Sequence, residues 1–117
     1  MIKIKRAYRD PEPDDGRRFL VDRVWPRGVK RADLQLEAWL RDAAPSTELR
    51  KWFGHDPQKW EAFQHRYFAE LNAHPQAWRL LKAAAAEGDI TLVYSAKDEQ
   101  HNQARALKIY LEQQPDE

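Results

Sequence analysis

The sequence predicts an α/β fold: a single compact domain in which a small sheet of about three or four strands, with a parallel crossover, is packed by several helices. Two short segments near the start of the chain and one at residues 90–94 have the composition of strands, and residues 34–88 have helical patterns. Strands separated by helices are typical of sheets whose parallel neighbours are joined by crossovers. The 117 residues suit one domain, and no repeat or linker divides them.

The first strand is predicted at the start of the chain, where Ile2 and Ile4 alternate with Lys3 and Lys5. This alternation is typical of a strand that is buried on one face. Prolines, acidic residues and a glycine interrupt the pattern over residues 10–16, which are therefore predicted to form a loop.

The second strand is predicted over Phe19–Trp25, which is rich in β-branched and aromatic residues. Pro26 and Gly28 end it, because proline lacks a ladder donor and glycine favours turns. Arg23 and Arg27 thus place positive charge at this strand end.

A block of helices is predicted from Leu34 onward, divided by proline and glycine. Ala38, Trp39 and Ala43 indicate a short first helix that is stopped by Pro45. This interpretation leaves no strand between the second strand and residue 90.

The next helices of the block carry recognisable start and stop residues. Ser46 can cap a helix that ends at Gly54, and the pair Asp56–Pro57 can start the following one. Pro75 and Gly88 bound a further helix. The apolar stripe of the central helix consists of Trp60, Phe63, Tyr67 and Leu71.

The third strand is predicted over the apolar run Ile90–Tyr94, which reads as buried and stops abruptly at the polar segment 95–102. Asp98 is the natural N-cap of a last helix over Ala104–Leu111. The tail Gln113–Glu117 is expected to be disordered.

Composition excludes several classes of site. The chain has no cysteine, which rules out disulfides, thiolate chemistry and cysteine-ligated metals. No metal site is expected, because the histidines lack His-x-x-x-His spacing and an acidic triplet. No Gly-x-Gly-x-x-Gly or Walker pattern is present, so no particular cofactor is indicated. The histidines are His55, His65, His74 and His101.

The start of the chain gives no sign of membrane insertion. Met1–Lys5 has alternating polarity without a continuous apolar core, so neither a secretory signal nor a membrane span is expected. With a mean hydropathy of −0.91, a cytoplasmic protein without a membrane partner is predicted.

A ligand site is predicted where the third strand ends. In α/β sheets ligands bind beyond the carboxyl ends of the strands. Lys97 and the first N–H groups of the following helix suit an anion. Ser95, Lys97 and His101 are also candidates for nucleophilic or acid-base catalysis, His101 because it titrates near neutrality.

The end of the second strand supplies a second half for this site, provided that the two strands are parallel neighbours. Arg23 and Arg27 would then face the same rim as Lys97 and clamp a carboxylate or a phosphate. The ligand-binding residues expected from both strand ends are Arg23, Arg27, Tyr94, Ser95, Lys97, Asp98, His101 and Asn102.

A purely structural interpretation of the same residues stays open. Asp98 would then only cap a helix, Ser95 would close a turn, and Arg23 would pair with Asp22 or stack on Trp25. In the helical block, Phe53 is interpreted as core and His55 as a weaker acid-base candidate.

Several blocks of the chain form a recognisable series: residues 22–28, 44–46, 49–53, 55–56, 92–99 and 101–102. In this order they resemble the YeaO-like family of small bacterial proteins, which is grouped under a domain of unknown function. The resemblance spans Ile2 to Leu111. It implies a compact α/β domain and supplies no established activity, substrate or catalytic residue.

Three functions therefore compete. The first is a small-molecule or nucleotide-binding domain, with a hydrolase or transferase activity left open. The second is a nucleic-acid-associated regulatory protein, since residues 1–31 hold ten Lys and Arg against five Asp and Glu although the net charge is only +1. The third is a protein-interaction module that uses a tryptophan-bearing face, with an oligomeric state that the sequence leaves open. The basic residues expected on phosphates are Arg17, Arg18, Arg27, Lys30 and Arg31.

Overall fold

A computed structural model describes residues 1–115 and shows an α/β domain, as predicted. Within these residues, four strands form one sheet in the order β1-β4-β2-β3, and every neighbouring pair is parallel. The strands are β1 (Ile2–Arg6), β2 (Arg17–Leu20), β3 (Ala38–Trp39) and β4 (Ile90–Tyr94).

Five α-helices accompany the sheet in the described part of the chain, with short 3₁₀ turns between them. None of these helices is long and apolar enough to cross a membrane. The helices are α1 (Arg31–Leu34), α2 (Thr47–Phe53), α3 (Trp60–Ala73), α4 (Arg79–Glu87) and α5 (Gln103–Gln113).

Strand β4 lies between β1 and β2 and is buried along its whole length. Its register places Leu92 beside Ile4 of β1 and Phe19 of β2. Because both faces of a central parallel strand are covered, the sequence of β4 is continuously apolar. Its predicted bounds are confirmed.

The core divides between the two faces of the sheet. Phe19 and Leu92 point to the larger cluster, which is completed by side chains of α2, α3, α4 and α5. Leu20 and Val93, one residue further along each strand, point to a smaller cluster with Leu34 of α1. This alternation is the period of a strand with apolar residues on both sides.

Local capping confirms two of the predicted starts in the helical block, at Ser46 and at Asp56. The Ser46 hydroxyl accepts a hydrogen bond from the N–H of Leu49 at 3.1 Å, and the Asp56 carboxylate accepts one from Gln58 at 3.0 Å. Three residues of the apolar stripe predicted for α3 are buried, as expected: Phe63, Tyr67 and Leu71.

Two predicted elements are wrong. Strand β2 ends at Leu20 instead of Trp25, and Ala38–Trp39 forms strand β3 instead of a helix. The Leu40 N–H donates to the Leu20 carbonyl at 2.8 Å. These long-range hydrogen bonds to β2 override the local helical pattern, and a strand of two residues is too short to show a period.

The cap of the last helix also differs from the prediction. Asn102 caps α5, since its side chain accepts the N–H of Arg105 at 2.9 Å. Asp98 lies one turn earlier, outside the helix. Of the tail that was expected to be disordered, Gln113 ends α5, and Asp116 and Glu117 lie outside the described residues.

Candidate functional site

A cavity of about 540 Å³ lies where strands β2 and β4 end, as the sequence analysis required of a ligand site. The two strands are parallel neighbours, so the chain leaves both of them at the same edge of the sheet. The wall of the cavity is built by the segments after β2 and β4, by α2 and the turn after it, and by the starts of other helices. A volume of this size is typical of a small-molecule site.

Asp22 lies on this cavity with only 6% of its surface exposed. One of its oxygens, Oδ2, accepts the N–H of Ser95 at 2.9 Å and the Ser95 hydroxyl at 2.6 Å. The other, Oδ1, accepts the side-chain amide of Gln103. Burial raises the pKa of Asp22 above its ordinary value, against the opposing effect of these hydrogen bonds.

The register of the sheet brings these residues together. Leu20 pairs with Val93, and the N–H of Val21 still donates to the Val93 carbonyl at 3.0 Å. Asp22 and Ser95 each lie two residues beyond the Leu20–Val93 pair. They are therefore neighbours at the edge of the sheet, although the sequence separates them widely.

Within residues 1–115, three Arg and Lys side chains line the cavity: Arg23, Arg50 and Lys97. The Arg23 guanidinium is anchored, since it donates to the carbonyl oxygens of Pro45 at 3.0 Å and Ala44 at 3.3 Å. Arg50 and Lys97 are exposed, and within residues 1–115 their side chains form no hydrogen bond or ion pair. Anion binding would therefore not require Arg50 or Lys97 to break an existing bond.

The remaining wall of the cavity is partly aromatic. The rings of Phe53 and Phe63 stack with their centroids 4.2 Å apart. His55 lies beside them, 6.3 Å from the Phe53 ring, with φ at +56°. This left-handed conformation is unfavourable for a residue other than glycine, and it turns the chain at the mouth of the cavity.

Asp98 lines the rim and is held by the chain that follows it. Its carboxylate accepts the N–H groups of Gln100 at 2.9 Å and His101 at 3.0 Å. Its second oxygen contacts Nδ1 of His101 at 3.0 Å. The bond from the Gln100 N–H is the main reason that the pKa of Asp98 lies below its ordinary value.

Among the eight residues that the sequence assigned to the ligand, four line the cavity: Arg23, Ser95, Lys97 and Asp98. The side chain of Tyr94 is instead buried in the core, with 1% exposure.

The other three lie away from the cavity wall for separate reasons. Asn102 is buried and caps α5. The ring of His101 packs edge-on against Trp60, with centroids 5.5 Å apart. Arg27 is exposed in the turn after β2, where its carbonyl accepts the hydroxyl of Tyr8.

The three catalytic candidates do not form a relay. Ser95 donates its hydroxyl to Asp22, whereas His101 contacts Asp98. In the described part of the chain no hydrogen bond joins Ser95 to His101 or to Lys97. No group of three or more His, Asp or Glu side chains within residues 1–115 is placed to hold a metal ion.

Three polar cavity residues, Asp22, Arg50 and Gln103, are not predicted from the sequence. The sequence indicates Asp22 only as a partner of Arg23, and it does not mark Arg50 as a site residue. The position of Asp22 just past a buried strand was a usable signal, because such residues meet at the sheet edge. No local pattern marks Gln103.

The basic N-terminal segment is largely paired within the protein. Arg17 forms ion pairs with Glu37 at 2.6 Å and Glu87 at 3.3 Å. Arg18 is buried and pairs with Asp15 at 2.6 Å. Two of the five side chains that were expected on phosphates are therefore engaged, which weakens the nucleic-acid hypothesis.

Comparison with known proteins identifies the relatives of this chain. The model of the DUF488-N3i family, described as the inactive DUF488-N3 subclade, matches residues 1–117. The uncharacterized protein YeaO of Escherichia coli (strain K12) is 44% identical over 110 residues, which cover 94% of this chain and 96% of that protein. An uncharacterized protein of Mycobacterium tuberculosis (strain H37Rv) is 45% identical over 71 residues, which cover 61% of this chain and 60% of that protein. No solved structure matches significantly.

Proposed function

This chain belongs to the YeaO-like family, the inactive DUF488-N3 subclade, and on that premise we propose that it is a binding domain for small anionic molecules. The ligand carries a phosphate or a carboxylate and occupies the cavity at the ends of β2 and β4. Binding without turnover fits a subclade described as inactive, and it fits the missing contact between Ser95 and His101 in the described residues.

The observation that carries this proposal is the convergence of Arg23, Arg50 and Lys97 on one cavity. Among residues 1–115, two carboxylates, Asp22 and Asp98, also line it, so the three cations outnumber the described carboxylates. Attraction between opposite charges is stronger in a partly enclosed cavity than in open water. The cavity therefore favours anions over cations and over neutral molecules.

The anchored and the exposed cations would have different roles. The guanidinium of Arg23 is held by two backbone carbonyls, so it has a defined orientation before a ligand binds. Arg50 and Lys97 come from α2 and from the segment after β4, and they can close over the anion from two sides. The apolar wall at Phe53 and Phe63 leaves room for an uncharged part of the ligand.

Titration with inorganic phosphate, followed by amide chemical shifts and by calorimetry, tests the proposal. Arg50→Gln and Lys97→Gln remove one cation each without disturbing a hydrogen bond of the described structure. Each is expected to weaken phosphate binding by about 3- to 10-fold, the value of one charge-assisted contact. Binding should also weaken as salt is added.

Lys51→Gln is the matched control, because Lys51 lies next to Arg50 on α2, is exposed and does not line the cavity. It should leave phosphate affinity unchanged. Equal losses in all three variants would indicate general charge attraction instead of a site. Shift changes spread over the whole surface, without a maximum at residues 95–98 and 50–55, would also disprove the proposal.

A further inference from the structure

Asp22 forms part of the cavity wall, and its hydrogen bonds to other described residues leave one acceptor position of its carboxylate unused. A carboxylate has about four acceptor positions. Oδ2 uses two of them for Ser95, and Oδ1 uses one for Gln103. One position on Oδ1 is left, and Asp22 forms part of the cavity wall.

The charge of Asp22 is also incompletely balanced. Its three partners are neutral donors, and within residues 1–115 no Lys, Arg or His side chain forms an ion pair with it. Arg50, which also lines the cavity, attracts the Asp22 carboxylate without forming an ion pair with it. A buried carboxylate with neutral partners gains from any further donor that reaches it, because burial makes its charge costly.

A purely anionic ligand would meet this carboxylate as a like charge. Arg23, Arg50 and Lys97 attract the anion, whereas Asp22 repels it whenever Asp22 is ionised. A ligand with a donor group beside its anionic group resolves this conflict, since the donor can face Oδ1.

We infer that the cavity takes a bifunctional ligand: an anionic group bound by Arg23, Arg50 and Lys97, and a hydrogen-bond donor, a hydroxyl or an ammonium, bound by Asp22. This inference rests on the proposed anion site and specifies its ligand. Asp22 thereby selects among anions, in addition to joining β2 and β4. If Asp22 were only structural, anions with and without a donor would bind equally well.

Three organic phosphates of nearly equal size test this selection. Propyl phosphate ends in a methyl group, 2-hydroxyethyl phosphate in a hydroxyl and 2-aminoethyl phosphate in an ammonium. Calorimetric titration of the wild-type protein is expected to show about tenfold tighter binding for one or both donor-bearing probes than for propyl phosphate. If only one of the two donor-bearing probes binds more tightly than propyl phosphate, that result identifies the donor that the site prefers.

Asp22→Asn provides the second comparison. It should bind inorganic phosphate and propyl phosphate at least as tightly as the wild type, because the like charge is gone. It should lose the preference for the ammonium probe, because a neutral amide cannot pair with its charge. An unfolded variant would bind none of the probes, and circular dichroism identifies that case.

The outcomes separate the two proposals. If inorganic phosphate and all three probes fail to bind the wild-type protein, the anion site itself is disproved. If they bind but neither donor-bearing probe is favoured over propyl phosphate, the anion site stands and the role of Asp22 in selection is wrong. The wild-type comparison alone can disprove this role, even if Asp22→Asn does not fold, whereas Asp22→Asn distinguishes Asp22 from Asp98 as the source of a preference.

Discussion

The carboxylate of Asp22 accepts the backbone N–H and the hydroxyl of Ser95 through the same oxygen, at 2.9 Å and 2.6 Å. Asp22 follows β2 and Ser95 follows β4, so these two bonds join the ends of neighbouring strands. Gln103, the first residue of α5, adds a third bond to the same carboxylate. The group that shapes the cavity therefore also links three elements of the fold.

The first prediction concerns Asp22 and pH. Burial raises the pKa of Asp22 in the folded protein above 3.8, the value expected for the unfolded chain. The contribution of Asp22 to the free energy of unfolding is therefore fully present at pH values below 3.8. It is lost as the pH rises through the pKa of the folded state. Asp22→Asn does not titrate. The free energy of unfolding of the variant minus that of the wild type should therefore increase as pH rises above 3.8.

Urea denaturation of both proteins between about pH 3 and pH 8 measures this difference. Other titrating groups that both proteins share largely cancel in the subtraction. A difference that stays constant, or that falls with pH, would contradict a raised pKa for Asp22.

The second prediction concerns two glycines in the left-handed region. Gly16 has φ at +67°, and a Cβ there would collide with the backbone carbonyl of Asp89. Gly28 has φ at +77°, but a Cβ there meets no atom of the described structure within 4 Å. Replacement by alanine should cost about 1 kcal/mol at Gly28 and about 3 kcal/mol or more at Gly16.

Gly28→Ala serves as the control, because it carries the conformational cost without the collision. Urea denaturation gives both values. The Asp89 carbonyl also accepts the N–H of Arg17 at the start of β2, so it has little freedom to move away. Equal costs for the two variants would mean that the contact between Gly16 and Asp89 is not as close as described.

The third prediction concerns the start of α5. Asn102 is 1% exposed, accepts the N–H of Arg105 at 2.9 Å and donates to the carbonyl of Asp98 at 2.9 Å. Asn102→Ala is expected to lower the free energy of unfolding by about 1–2 kcal/mol, because the N–H of Arg105 loses its cap and the carbonyl of Asp98 loses its donor.

Asp98→Ala should cost less, since Asp98 is more exposed and binds N–H groups before the helix. Thermal unfolding of both variants ranks them. A larger loss of stability in Asp98→Ala than in Asn102→Ala would indicate that Asp98, and not Asn102, caps the helix.

The fourth prediction concerns the hydroxyl of Tyr67. The side chain is fully buried and donates to the carbonyl of Ala43, and burial raises the pKa of its hydroxyl. Tyr67→Phe should cost about 1–3 kcal/mol, because the Ala43 carbonyl is left without that donor. Tyr8→Phe is the control, since the exposed Tyr8 hydroxyl can exchange its partner for water. Equal effects in urea denaturation would contradict the prediction.

Local signals explain where the sequence analysis succeeded. Ser46 and Asp56 cap through N–H groups two or three residues away, so their patterns lie within one short window. Strand β4 is recognisable because a strand covered on both faces needs apolar residues throughout. Polar residues directly after such a strand then indicate a site at the edge of the sheet.

Strand β3 and the end of β2 show where local signals fail. Ala38–Trp39 is a strand only because β2 offers its backbone groups, and Trp25 leaves the sheet although its segment has strand composition. In both cases the pairing partner decides the conformation, and the partner is not visible in a short window.

The sequence by itself determined the family, the α/β class and the helix starts at Ser46 and Asp56, and it predicted four of the residues that line the cavity. The tertiary structure decided the strand order, the presence of Arg50 at the cavity and the four residues that lie away from it. Asp22 illustrates the physical reason, because its partners Ser95 and Gln103 lie 73 and 81 residues further along the chain. The parallel register of β2 and β4 brings Asp22 and Ser95 together, and the packing of α5 on the sheet adds Gln103.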